Sequence, residues 1–207
     1  MAKNLSTVRT AVAPITAKPW PSQTEIVVLA RQLDNLVSYR ARIERVLRVD
    51  FRGHQLDGLQ ILLDEFAVTG AKTSHLEKRL NDLEPAEWRD EDYNLQVPAV
   101  SKMLALLVGS FPTSNLPDAA VFTRVMLDDV LARDPDFLSL EGACRKLRQT
   151  QKFMPSISEI IEAIKAEKAA WAKRYEALEV IDDLRSELTR RLADERTRRG
   201  AGQSSPS

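Results

Sequence analysis

An unbroken helical pattern near the C-terminus decides the fold. Residues 157–199 read ISEIIEAIKAEKAAWAKRYEALEVIDDLRSELTRRLADERTRR and contain neither glycine nor proline. Apolar side chains recur there at intervals of four and three residues, which is the spacing of one face of an α-helix. Ser156, followed by Glu159 three residues later, predicts a capping box at the start. At roughly 1.5 Å per residue this helix would be about 60 Å long, so we expect its distal half to project or to pair.

The apolar seam of this long helix has two interpretations. In the first, it pairs with a second copy of the chain as a coiled-coil homodimer, because a solvated rod would leave the seam exposed to water. In the second, the helix folds back within one chain on a helix predicted at residues 23–48. The residues assigned to the self-association seam are Trp171, Tyr175, Leu178, Leu188 and Leu192.

The remainder of the chain is also predicted to be helical, so the expected fold class is all-α. Acidic side chains separate two groups of apolar helical positions, which indicates a linker between two folded units. We therefore expect residues 97 to about 170 to fold on their own. The predicted segments are a disordered basic arm (1–22), a helical hairpin region (23–83), an acidic linker (84–96), a helical module (97–166), an extension of the long helix (167–199) and a disordered tail (200–207).

Composition argues against most enzyme classes. The 207 residues carry 30 basic and 30 acidic side chains, one cysteine, Cys144, and two histidines. This leaves few candidates for a metal site or a catalytic triad, and neither a P-loop nor a dinucleotide-binding fingerprint occurs. We therefore expect no catalysis, no metal and no cofactor. No apolar run approaches the roughly 20 residues that cross a bilayer, and we expect no membrane contact and a cytoplasmic location.

Two clusters of basic residues could contact phosphate or an acidic partner. In the second cluster, cations near the helix C-terminus also complement the helix dipole. We expect this C-terminal basic helix or the N-terminal arm to contact a partner, and deletion of residues 186–207 to leave the fold intact. The first cluster is Arg145, Lys146, Arg148 and Lys152, and the second is Arg190, Arg191, Arg196, Arg198 and Arg199.

The most distinctive passage is LRQTQKFMPSISEI, residues 147–160. A short helix ends there in basic and polar residues, Phe153 is expected to turn inward at the joint, and Pro-Ser-x-x-Glu begins the next helix. The passage resembles the KF-x-PSISEI pattern of small helical phage and prophage replication proteins, which load or inhibit the replicative helicase. Residues 106–112, LLVGSFP, resemble a helix end common in such proteins, and the resemblance covers about residues 97–166.

The resemblance implies a compact helical module and a partner, the hexameric replicative helicase. The missing P-loop excludes a loader that is itself an ATPase. DNA would then be contacted indirectly. The alternatives are a self-associating scaffolding protein and, more weakly, a DNA-binding regulator. The residues assigned to partner binding or to the shape of the module are Arg145, Lys146, Arg148, Lys152, Phe153, Pro155, Ser156 and Glu159.

Overall fold

A computed structural model describes residues 20–48, 56–69, 73–88, 95–112 and 118–202. These residues form α-helices and one short 3-10 helix, without a β-strand, which confirms the predicted all-α class. Residues 1–19, 89–94 and 203–207, which belong to the predicted arm, acidic linker and tail, lie outside the described residues. The helices are α1 (Gln23–Leu47), α2 (Leu56–Thr69), α3 (Thr73–Leu83), α4 (Gln96–Gly109), α5 (Ala119–Leu131), α6 (Phe137–Thr150) and α7 (Ile157–Gly202), with the 3-10 helix at Ala86–Trp88.

The long helix α7 organises the fold. Its beginning packs against α6, the helix before it in the chain, and its later turns pack along α1. Polar contacts fix the second pairing: Arg174 binds Asp34, and Arg191 donates to the Leu47 carbonyl oxygen at 2.8 Å. Asp34 precedes Leu47 in α1, and their partners Arg174 and Arg191 follow the same order in α7, so the two helices are parallel. The prediction that the distal half projects is wrong, and the alternative that α7 folds back on α1 within the chain is the one observed.

The predicted hairpin helices α1 and α2 both pack chiefly against α7. They are also joined to each other by an ion pair between Arg42 and Glu65, at 2.7 Å. On α2, the side chain of Gln60 accepts a hydrogen bond from Arg196 of α7 at 3.0 Å. Each hairpin helix is thus positioned mainly by the long helix.

The buried apolar side chains form one continuous cluster that includes residues of all seven helices described. Leu33 of α1, Leu76 of α3, Leu104 of α4, Leu140 of α6 and Ile181 of α7 are all fully buried in it. The core therefore does not divide at the acidic segment between α3 and α4. Physically, α7 is long enough to pack against the helices on both sides of that segment.

Three aromatic side chains connect the end of the predicted arm and the acidic linker to α6. The rings of Trp20, Trp88 and Phe137 meet edge to face, with centroid separations from 5.2 to 6.4 Å. Trp20 donates from Nε1 to Glu87 at 3.0 Å, and Trp88 donates to the Pro135 carbonyl oxygen at 2.9 Å. Edge-to-face packing of this kind stabilises a core beyond the area it buries, so residue 20 and residues 86–88 belong to the folded body.

Side-chain caps hold the starts of α1 and α6. α1 begins with a capping box in which Ser22 and Glu25 exchange hydrogen bonds. α6 is capped by Asp136, whose carboxylate accepts from the backbone and hydroxyl of Ser139 at 2.8 and 2.6 Å. A carboxylate accepts both bonds at once, which favours aspartate as the cap.

Candidate interaction site

The joint between α6 and α7, residues 151–156, is held at both ends by hydrogen bonds. At its start, the backbone of Gln151 is extended and its N–H donates to the Leu147 carbonyl oxygen at 2.9 Å. At its end, the backbone and hydroxyl of Ser156 donate to Glu159 Oε2 at 2.7 and 2.8 Å, and Glu159 N–H donates back at 3.3 Å. The predicted capping box is confirmed. These bonds to Ser156 lower the pKa of the Glu159 carboxyl.

The side chain of Phe153 points out of this joint into solvent. It is 80% exposed, whereas Pro155 is buried and Met154 packs against the core. The prediction that Phe153 turns inward is therefore wrong. Successive side chains of a non-helical segment point in different directions, and Met154 occupies the side that faces the core. Pro155 is buried at the entrance to α7.

The basic cluster around the end of α6 is divided by the fold. Arg145 Nη1 lies 3.4 Å from Glu141 Oε2, and the two side chains are only 18% and 9% exposed. Arg148 lines a cavity of about 110 Å³, while Lys146, two residues away, lies on roughly the opposite side of the helix. Lys146 and Lys152 are exposed. The four cations thus do not form one continuous surface for phosphate.

Glu141 is a buried carboxylate with an unusual environment. Neither of its oxygens has a hydrogen-bond partner within the described residues, although Arg145 is nearby. Burial raises the pKa of Glu141, the charges of Arg145 and Arg148 oppose that shift, and Glu167 adds to it. One turn away, burial raises the pKa of the Cys144 thiol to about 12, so this cysteine is a packed side chain and not a nucleophile at neutral pH.

The basic residues at the end of α7 are largely engaged within the chain. Glu187 binds both Arg190 and Arg191, and Arg191 also reaches the end of α1. Arg196 binds Gln60, while Arg198 and Arg199 pair with Glu195 at 3.8 and 3.4 Å. The side chain of Arg198 remains 80% exposed to solvent despite this pairing. Most of these side chains therefore already have partners.

The same part of α7 carries core residues. Leu188 is fully buried and Leu192 is 3% exposed. Deletion of residues 186–207 would remove both from the core, which argues against the expectation that this deletion spares the fold. Arg190 projects from the opposite side of the helix, whereas Arg191 and Arg196 flank the buried leucines and bond to α1 and α2.

The seam assigned to self-association is covered by the chain's own helices. Trp171, Leu178, Leu188 and Leu192 are each at most 5% exposed, and only Tyr175 retains a large exposed fraction, 47%. These four positions are buried as the helical period predicted, but the surface that covers them is intramolecular, with α1 as the largest contact of the later turns. The assignment of the seam to a homodimer interface is corrected accordingly.

In the described parts of the chain, no cluster of three or more histidine, cysteine or acidic side chains is arranged to hold a metal ion. None of the described helices combines the length and apolar character needed to span a membrane. The sequence matches no known protein family, and no curated protein or solved structure is significantly similar to it. Interpretation of the site therefore depends on the chain's own geometry.

Proposed function

We propose that this protein is a phage or prophage DNA-replication accessory protein that binds a replicative helicase, as a loader or an inhibitor without its own ATPase. It would act in the cytoplasm as a binding protein rather than an enzyme, without a cofactor and with DNA contacted indirectly.

One structural observation carries the proposal: the large exposed side chain of Phe153 at the joint between α6 and α7. Aromatic side chains, phenylalanine among them, are enriched in the cores of protein–protein interfaces. Phe153 lies within the passage at residues 147–160 that resembles the replication proteins. The resemblance supplies the identity of the partner, and the exposed ring supplies a place to bind it.

The two alternative functions have less structural support. A coiled-coil scaffold requires an uncovered seam, but Leu188 and Leu192 are buried within one chain. A DNA-binding regulator requires cations on one face, but Arg145 pairs with Glu141 and Arg148 lies on a different side of α6 from Lys146. We therefore favour binding to a protein partner.

The experiment is a calorimetric titration of the full chain against the replicative helicase hexamer of its host, with and without nucleotide. A hexameric ATPase of unrelated sequence serves as the control. A complex formed with the helicase alone supports the proposal. Absence of a complex at tens of micromolar protein contradicts it. The Arg198→Glu variant tests the C-terminal basic residues without removing core residues, and a loss of affinity would identify a second contact.

A further inference from the structure

Phe153 is the most exposed large apolar side chain in the described part of the chain, at 80%; Leu106 follows at 58%. A single exposed apolar residue is ordinary on a protein surface. Phe153 differs because it is an entire aromatic ring, which carries a large apolar area. Leu106 therefore provides a matched exposed apolar position outside the joint.

The backbone on both sides of Phe153 is fixed. Gln151 is bonded to the last turn of α6, Met154 packs on the core, Pro155 is buried, and Ser156 is locked in the capping box. A side chain held in this way loses less conformational entropy on binding than one on a free loop. The ring of Phe153 is therefore pre-organised for binding before a partner is present.

The charged residue adjacent to Phe153 in the chain is a cation. Lys152 precedes Phe153 directly and is exposed, and no ion pair within the described residues involves it. The nearest carboxylate along the chain, Glu159, already accepts two hydrogen bonds from Ser156. Phe153 therefore has a neighbouring positive charge that an acidic surface would complement.

We propose that Phe153 inserts into an apolar pocket on a protein partner and that Lys152 pairs with a carboxylate on the rim of that pocket. This inference rests on the proposed function and adds the contact and its chemistry to it. Single-stranded nucleic acid is a poorer match, because binding sites of that kind combine several aromatic platforms with a continuous cationic groove. At this joint there is one ring, and the cations of α6 are divided between different sides of the helix.

The test compares the wild-type chain with four variants in titrations against the helicase hexamer: F153A, F153L, K152E and L106A. We expect F153A to weaken binding about 30-fold or more, as for a residue at the centre of an interface, and F153L to retain part of the affinity. K152E should weaken binding less, with a loss that shrinks at high salt. L106A should bind like the wild type, and circular dichroism should show all five proteins equally folded.

Each result has a distinct meaning. If the wild type does not bind the hexamer, the proposed function fails and the inference fails with it. If the wild type binds and F153A binds equally well, the helicase remains the partner and docking through Phe153 is overturned. A single-stranded oligonucleotide is titrated in parallel; binding to it that depends on Phe153, without such dependence for the helicase, would also overturn the proposed protein contact.

Discussion

Arg174 of α7 binds Asp34 of α1 through two hydrogen bonds, from Nε to Oδ1 at 2.7 Å and from Nη2 to Oδ2 at 3.0 Å. The same guanidinium stacks on the ring of Trp171, with its carbon 4.6 Å from the ring centroid. The Arg174 side chain is 12% exposed and that of Asp34 is 56% exposed. One arginine thus joins the two longest helices through a bidentate ion pair, while its stacking on Trp171 is a contact within α7.

Replacement of Arg174 by alanine should lower the free energy of unfolding by about 1–2 kcal/mol. A two-bond ion pair and a stacked ring support a value of this size, and the exposure of Asp34 limits it. Urea denaturation measures the effect. Arg174→Lys should recover only part of the loss because lysine lacks the planar fork. Arg198→Ala, at an exposed site on the same helix, is the control and should change stability by less than about 0.5 kcal/mol; equal effects of the two alanine variants would contradict the assigned role of Arg174.

The two phenylalanines Phe153 and Phe137 should respond in opposite ways to replacement by alanine. Phe153 is 80% exposed and Phe137 is 2% exposed. We expect F153A to change the free energy of unfolding by less than about 0.5 kcal/mol and F137A to lower it by about 3–5 kcal/mol, because it empties a packed site. Thermal and urea denaturation of both variants provide the measurement. A large loss in F153A would mean that the ring is buried after all.

The full chain should be a monomer of 23.3 kDa in light scattering, since α1 and α6 already cover the apolar face of α7. Leu188→Glu should then destabilise the monomer by placing an unpaired charge in the core, with no dimer to dissociate. A wild-type mass near twice the monomer, reduced to one by L188E with the helical signal retained, would restore the homodimer interpretation.

Glu187 should contribute to the stability of the protein at moderate pH and lose that contribution in acid. Hydrogen bonds from Arg190 and Arg191 lower the pKa of Glu187 from 4.5 to about 2. For a carboxyl whose pKa is lowered by folding, the contribution is complete above pH 4.5 and disappears as the pH falls through 2. Carbon-detected NMR titration of the side-chain carboxyl should find its midpoint near the lower value. A midpoint at the ordinary value would show that the two arginines do not hold the carboxylate in solution.

Glu141 should show the opposite pH dependence. Burial raises its pKa above the ordinary value of 4.5, so the stability linked to this group is greatest below that pH and declines as the pH rises through the folded-state pKa. Glu141→Gln removes the titration while preserving size. The free energy of unfolding of E141Q, relative to the wild type, should therefore rise from pH 4.5 toward neutrality. A difference that is independent of pH would show that Glu141 titrates normally.

The sequence by itself determined where α7 begins and which of its faces is buried. α7 begins after Ser156 as its capping box predicted, and Trp171, Leu178, Leu188 and Leu192 are buried as the apolar period predicted. Both signals are local, because a cap involves residues three apart and a helical face involves residues three or four apart. Such local patterns hold in any all-α fold in which some other helix covers the apolar face of α7.

Only the tertiary structure decided what covers those faces. The period of α7 is the same whether a second copy or α1 packs on it, and no spacing in the sequence pairs Arg174 with Asp34, which are 140 residues apart. The direction of Phe153 was decided in the same way. A phenylalanine is expected inside because of its apolar area, but Met154 and Pro155 take the buried positions of the joint and leave the ring in solvent. Long-range packing chooses between neighbouring apolar residues, and a local pattern carries no information about that choice.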